Sequence, residues 1–101
     1  MNFGEALQAL KDGKMVSRKG WNGKGMFLYL VKGRLVEHDE FRNEAKMAVK
    51  QAYKIEGNVN ENPSSRLVNS HIDMKTADGS LTIGWAPSQP DMMADDWGIV
   101  E

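Results

Sequence analysis

The chain has 101 residues, enough for one domain and too few for two, and a domain of this size buries only about 60–65% of the surface its unfolded chain exposes. Thirteen basic and fourteen acidic side chains nearly cancel, which argues against bulk attraction to nucleic acid or to a membrane and leaves room for a local cationic patch. With no cysteine, disulfides, thiolate metal sites and thiol nucleophiles are excluded, and no secretory or spanning pattern opens the chain, so a soluble, cytoplasmic protein is expected, with self-association compensating for a thin core.

Asn2 precedes Phe3, Ala6, Leu7 and Leu10, which recur at helical spacing, and Glu5 stands where a capping box needs it. Gly13 follows the last apolar turn and suits a left-handed helix end. A helix from Phe3 to Asp12 is predicted. Met15 to Arg18 reads as a short strand. Met26 to Val31 is a continuous apolar run, the pattern of a buried central strand. Lys32-Gly33 suits a tight turn into Arg34 to Glu37, so those two strands are predicted to form a hairpin. Asp39 is placed to cap a second helix from Glu40 to Ile55, with Phe41, Ala45, Ala48, Val49, Ala52, Tyr53 and Ile55 on one face. Arg42, Lys46, Lys50 and Lys54 lie on the other side, as a solvated row or a secondary attractor of phosphate.

The stretch from Gly57 to Ser70 is rich in Asn, Ser and Gly and reads as a flexible loop within the domain. His71 to Lys75 alternates, with Ile72 and Met74 on one face and His71, Asp73 and Lys75 on the other. Asp78-Gly79 is a turn signal, and Leu81 to Trp85 is the expected partner strand. Asp91 to Asp96 suits one helical turn, and Trp97 to Val100 a last strand. The order predicts an α+β fold over residues 1–101: a small, mostly antiparallel sheet with an N-terminal helix and a second helix packed on it.

The stretch SRKGWNGKG, Ser17 to Gly25, carries the most chemistry. Gly20, Gly23 and Gly25 permit close backbone approach. Trp21 offers a face on which a purine can stack, and Asn22 can read a base edge or a ribose hydroxyl. Arg18, Lys19 and Lys24 can meet phosphates. The same residues equally suit a tight turn with Trp21 packed on a core. The glycine spacing does not fit a Walker A loop. On the strand His71 to Lys75, Asp73 can accept from hydroxyls and Lys75 can meet charge, or the three polar residues form an ordinary solvent face. In the tail WAPSQPDMMADDW, Ser88 and Gln89 sit between prolines and can present polar atoms. Asp91 and Asp95 lack the further ligands that a metal site needs. Trp85 and Trp97 suit a core or an interface. No nucleophile elbow is present, so binding without chemistry is expected, and neither cofactor nor metal is called for.

MNFGEALQALKDGK, RKGWNGKGMFLYL, IDMKTADGSL and PSQPDMMADDW together resemble the Thoeris anti-defence 2 family of small phage proteins. The resemblance covers residues 1–31 and about 71–100. It implies a sponge that binds cyclic ADP-ribose isomers made by bacterial TIR enzymes without cleaving them, so that Thoeris immunity stays silent. For some relatives it extends to cyclic dinucleotides or trinucleotides. It also implies a homotetramer with pockets between protomers. Placed on the motifs, Trp21 would stack on adenine, Asn22 and Asp73 would hold hydroxyls or the base edge, and Arg18, Lys24 and Lys75 would neutralise the pyrophosphate. Gly23, Thr76, Ser88 and Gln89 would complete the lining. The competing readings are a hydrolase using Asp73 and His71, and a phage structural module without a small ligand.

Overall fold

The computed structural model describes residues 1–57 and 65–101. These form two compact units, one of Met1–Lys32 with Ser70–Glu101 and one of Gly33–Asn69. The first begins with α1 (Phe3–Lys11), whose start follows from its sequence. Asn2 Oδ1 accepts from the Glu5 N–H at 2.8 Å, and the Asn2 N–H donates back to the Glu5 carboxylate at 3.0 Å. Two of the donors that a helix leaves unpaired at its start are thereby satisfied. At the other end Gly13 has φ +88° and its N–H donates to the Leu10 carbonyl, so the chain reverses where only glycine is unstrained.

Five strands follow in this unit: β1 (Met15–Arg18), β2 (Phe27–Val31), β5 (His71–Lys75), β6 (Leu81–Thr82) and β7 (Trp97–Val100). They lie in the order β6-β5-β2-β1-β7, and every pair is antiparallel. Register sets the core. Val16 faces Leu28, Leu28 faces Met74 and Leu30 faces Ile72. Directly opposed residues share a sheet face, so these five line one side of it. Ala6, Ala9 and Leu10 of α1 close the same cluster, in which Leu28 and Val16 are fully buried.

Three sequence expectations need correction here. Arg34 to Glu37 is a strand, β3, but it does not form a hairpin with β2. Both ladder edges of β2 are occupied, by β1 and β5, and β3 pairs instead with β4 (Ser65–Val68) in a separate two-stranded sheet. That second strand falls inside the stretch expected to be a loop; positions 58–64 of that stretch lie outside the described residues. The expected strand Leu81 to Trp85 stops at Thr82 because Gly84 takes φ +81° and turns its N–H toward Asp73. The Trp85 N–H still reaches the Ile72 carbonyl at 2.7 Å.

In the second unit a 3₁₀ turn (His38–Glu40) precedes α2 (Asn43–Ile55). Arg42, not Asp39, occupies the N-cap, and it makes no side-chain cap bond. The helix buries Val49, and Ala52 and Tyr53 in part, a narrower stripe than the wheel suggests, and leaves Ile55 exposed. Tyr53 anchors β4 through its hydroxyl, which donates to the Ser65 carbonyl at 3.1 Å, and Arg66 stacks over its ring at 4.6 Å.

The C-terminal stretch of the first unit is tied to the end of β1 by two carboxylates. The short helix α3 (Gln89–Met93) is capped by Ser88, whose hydroxyl accepts from the Asp91 N–H while Asp91 Oδ2 accepts from the Ser88 N–H. Asp91 Oδ1 takes Arg18 Nη1 at 2.7 Å and Trp21 Nε1 at 3.1 Å, and the Asp91 carbonyl takes Trp97 Nε1 at 2.9 Å. Asp96 takes Arg18 Nε at 2.8 Å and the Gly20 N–H at 2.7 Å. Burial opposes ionisation of Asp91, but the Ser88 N–H, Arg18 and Trp21 more than offset it and hold its carboxyl at about 2, against an ordinary 3.8.

Because the folded value is depressed, the stabilisation from Asp91 is complete above the unfolded value and is lost as pH falls from about 4 toward 2. The shift corresponds to about 2 kcal/mol. Asp91→Asn is expected to lower the melting temperature at pH 7 and to flatten the stability profile between pH 4 and 2. Denaturation scans across that range check both.

Candidate functional site

The Asp91 clasp gathers three tryptophans. Trp21 meets Trp97 edge-on, with ring centroids 5.3 Å apart and planes at 81°. Trp85 meets both, at 6.4 Å from each, in similar edge geometry. Trp97 is 3% exposed and belongs to the core, with Phe3 on its other side at 5.6 Å. Trp21 and Trp85 are half-buried. Edge-to-face contacts are the arrangement that the ring quadrupoles favour, and they hold each indole in one orientation.

Trp85 also walls a cleft of about 400 Å³, with Leu7, Lys11, Leu30, Ser70, His71, Ile72 and Gly84. Leu7 and Lys11 come from successive turns of α1, and Leu30, His71 and Ile72 from the adjoining strands β2 and β5. The lining residues are mostly apolar, two of them are the basic residues Lys11 and His71, and no carboxylate is among them. A concave, largely apolar site with a few placed polar groups is the usual form of a small-molecule pocket.

Asp73 adjoins this cleft in sequence, on the face of β5 opposite the lining residue Ile72. It is 1% exposed, and its Oδ1 accepts from the Gly84 N–H at 2.9 Å and from His71 Nδ1 at 2.8 Å. The Tyr29 hydroxyl, on its cross-strand neighbour, is a third partner. Burial works against ionisation, but the Gly84 N–H, the His71 ring and Tyr29 outweigh it, so the carboxyl lies below its ordinary value. Desolvation and the Asp73 charge push the Tyr29 hydroxyl up. Asp73 is therefore an ionised hub beneath two cleft-lining residues, His71 and Gly84. It is not part of the open polar face that strand alternation suggests.

The other residues singled out from sequence fall in four places. Arg18, Trp21 and Ser88 converge on Asp91 and are held there by protein partners. Lys75 Nζ donates to the Gly25 carbonyl at 3.0 Å and fastens the glycine-rich loop to β5. At Gly23 a Cβ would stand 2.5 Å from Met26 Sδ and 2.9 Å from the Ala77 Cβ, so that glycine serves close packing. Thr76 is engaged in the β5–β6 turn with Asp78 and Ser80, a network that draws the Asp78 carboxyl to about 2, chiefly through the Thr76 hydroxyl. Asn22, Lys24 and Gln89 are exposed.

None of these ten residues is among those lining the cleft. What sequence reasoning passed over is Lys11, one helical turn after Leu7, and Trp85, assigned to core or interface. His71 was read as part of a polar strand face, and only its pairing with a buried carboxylate distinguishes it.

The family model described as a Thoeris anti-defense 2-like domain matches residues 1–100, and so spans both units. Thoeris anti-defense 2 of Bacillus phage SP01 is 39% identical over 106 residues, covering 99% of this chain and 94% of that protein. The chain belongs to the Thoeris anti-defense 2-like family.

Proposed function

We propose that this phage anti-Thoeris protein works by stoichiometric capture. It binds a cyclic ADP-ribose isomer (1''-2' or 1''-3' glycocyclic ADP-ribose) made by a bacterial TIR enzyme, leaves it intact, and so keeps the Thoeris effector inactive in the infected cell. The observation that carries this reading is the Trp85-walled cleft, which joins an aromatic wall to two basic side chains. Such a ligand brings an adenine, two riboses and a pyrophosphate. The indole suits the base, and Lys11 and His71 suit the anionic end. Asn22, Lys24 and Gln89, exposed on the Trp21 loop and at the start of α3, are available for further contacts. Arg18, Asp73, Thr76 and Ser88 contribute by holding loops in place.

An effective sponge needs nanomolar affinity, about −12 kcal/mol. A site whose indoles are already fixed loses little side-chain entropy on binding, which is how a small pocket reaches such a value. The same chemistry extends the proposal to cyclic dinucleotides and trinucleotides as weaker or additional cargo. A homotetramer is the proposed assembly. Met93, Ile83 and Leu81 are 81%, 65% and 58% exposed, apolar surface that a partner would cover.

His71 held by Asp73 is also the arrangement of a general base, so the decisive experiment separates capture from hydrolysis. The protein is incubated with a cyclic ADP-ribose isomer and denatured by heat, and the supernatant is analysed by mass spectrometry. Recovery of the unchanged ring is expected; a linear product would overturn sequestration in favour of hydrolysis. Trp85→Leu, which keeps apolar bulk and removes the aromatic face, is expected to weaken capture by about 1–3 kcal/mol and, with its edge contacts to Trp21 and Trp97 lost, to lower the melting temperature as well. Trp21→Ala removes both an indole of the cluster and a donor to Asp91. It is expected to destabilise the fold by about 3 kcal/mol or more, read by chemical denaturation. Light scattering checks the tetramer.

A further inference from the structure

The loop from Trp21 to Gly25 contains a reactive pair that the fold leaves open. Asparagine is among the residues that heat and time degrade, and Asn22 is the one asparagine of this chain that is followed by glycine. A glycine successor matters because no side chain shields its amide nitrogen from the neighbouring carboxamide. Both reacting groups are free here. Asn22 is exposed, and neither its carboxamide nor the Gly23 N–H has a hydrogen-bond partner among the described residues. The loop is anchored on either side instead: the Trp21 indole N–H ends on Asp91, and the Gly25 carbonyl accepts from Lys75 Nζ. Packing preserves the pair. A Cβ at position 23 would stand 2.5 Å from Met26 Sδ and 2.9 Å from the Ala77 Cβ, so the slot that Gly23 fills disfavours any successor that would slow the attack.

We propose that Asn22–Gly23 is a site of spontaneous deamidation in the folded protein, with water as the only co-reactant, and that the change weakens capture of an anionic ligand. The Gly23 nitrogen attacks Asn22 Cγ. A C–N bond forms, the bond from Cγ to the carboxamide nitrogen breaks, and ammonia leaves with the Gly23 amide proton. Water then opens the succinimide ring. Opening at Cγ gives aspartate, and opening at the backbone carbonyl gives isoaspartate, with Cβ carried into the main chain. No group is oxidised or reduced. Each product bears a carboxylate where a neutral amide stood, next to Trp21 and between Lys19 and Lys24 in the sequence. That charge offsets those cations and repels an anion. The isoaspartate also lengthens the loop by one carbon between its anchors, which pushes Gly23 against Met26 and Ala77. The effect on capture rests on the sequestration reading; the chemistry at Asn22 does not.

The full-length protein is aged in mildly alkaline buffer below its melting temperature, digested and mapped by mass spectrometry, with electron-transfer fragmentation to tell aspartate from isoaspartate. The amide-to-acid mass increase is expected at Asn22 ahead of Asn69, which is also exposed but precedes Ser70. It is expected to be absent from position 22 in Asn22→Gln, whose longer side chain does not close the same ring. Reaction at Asn22 no faster than at Asn69, or only after unfolding in denaturant, would show that the fold shields the pair and overturn the site. Fresh, aged and Asn22→Asp proteins are then titrated with a cyclic ADP-ribose isomer by calorimetry. The aged and Asn22→Asp proteins are expected to bind more weakly than the fresh one, and Asn22→Gln to lose no affinity on ageing. Equal affinity of fresh and fully deamidated protein would overturn the effect on capture. If the fresh protein binds no isomer, the sequestration reading and the effect on capture fall together, and the mass map alone decides the modification site.

Discussion

The first unit depends on one carboxylate. Asp91 joins a strand end, a glycine-rich loop, a short helix and the last strand, because each supplies a donor that it accepts. A helix of five residues has no stability of its own, and a loop with three glycines has much conformational freedom to lose. Both are ordered because Arg18 reaches across to Asp91 and Asp96 together. With side chains 16% and 12% exposed, the Arg18–Asp91 pair is sheltered enough that losing either partner leaves a costly unpaired charge. The tryptophan cluster rests on the same pair, since the indole N–H groups of Trp21 and Trp97 both end on Asp91.

Local features of the fold were legible in the sequence, and long-range ones were not. The N-terminal helix follows from Asn2, Glu5 and the spacing of Ala6 and Leu10, all within two turns of chain. The strands Met15 to Arg18, His71 to Lys75 and Trp97 to Val100 follow from short apolar or alternating runs. Strand pairing is a different kind of fact. Lys32-Gly33 is good turn chemistry, yet turn chemistry does not say whether a ladder edge is vacant, and both edges of β2 are taken by strands from elsewhere in the chain. The β3–β4 pair was hidden because Ser65–Val68 sits in a polar, asparagine-rich context that carries no strand signal of its own.

The candidate site shows the same division. Arg18 beside Trp21 has the composition of a phosphate grip, and the acids that occupy the guanidinium are 73 and 78 residues away. Alternation correctly put Asp73 on the face opposite Ile72 and Met74. It could not show that Gly84, eleven residues on, would fold its N–H onto that carboxylate and bury it. Trp85 illustrates a further limit: it is at once a member of the aromatic cluster and a wall of the cleft. A residue type alone does not separate those uses, because a rigid core contact is what makes an indole a good binding surface.

The two buried aspartates divide the work of ordering the first unit. A thin fold needs its strongest cation inside the structure, and Arg18 is spent on the Asp91–Asp96 pair. Lys75 is likewise turned to a backbone carbonyl, which locks the glycine loop. Neither cation is therefore turned toward the cleft. Of the residues lining the cleft, Lys11 in the last turn of α1 is a lysine with no such partner role in the fold, and His71 is held by a second buried carboxylate. An imidazole fixed in this way has less freedom to lose on ordering than a lysine on the surface. Asp91 thus fixes Trp21 and Trp97, against which Trp85 packs, and Asp73 fixes His71 and Gly84, so the walls of the cleft are held by the fold itself.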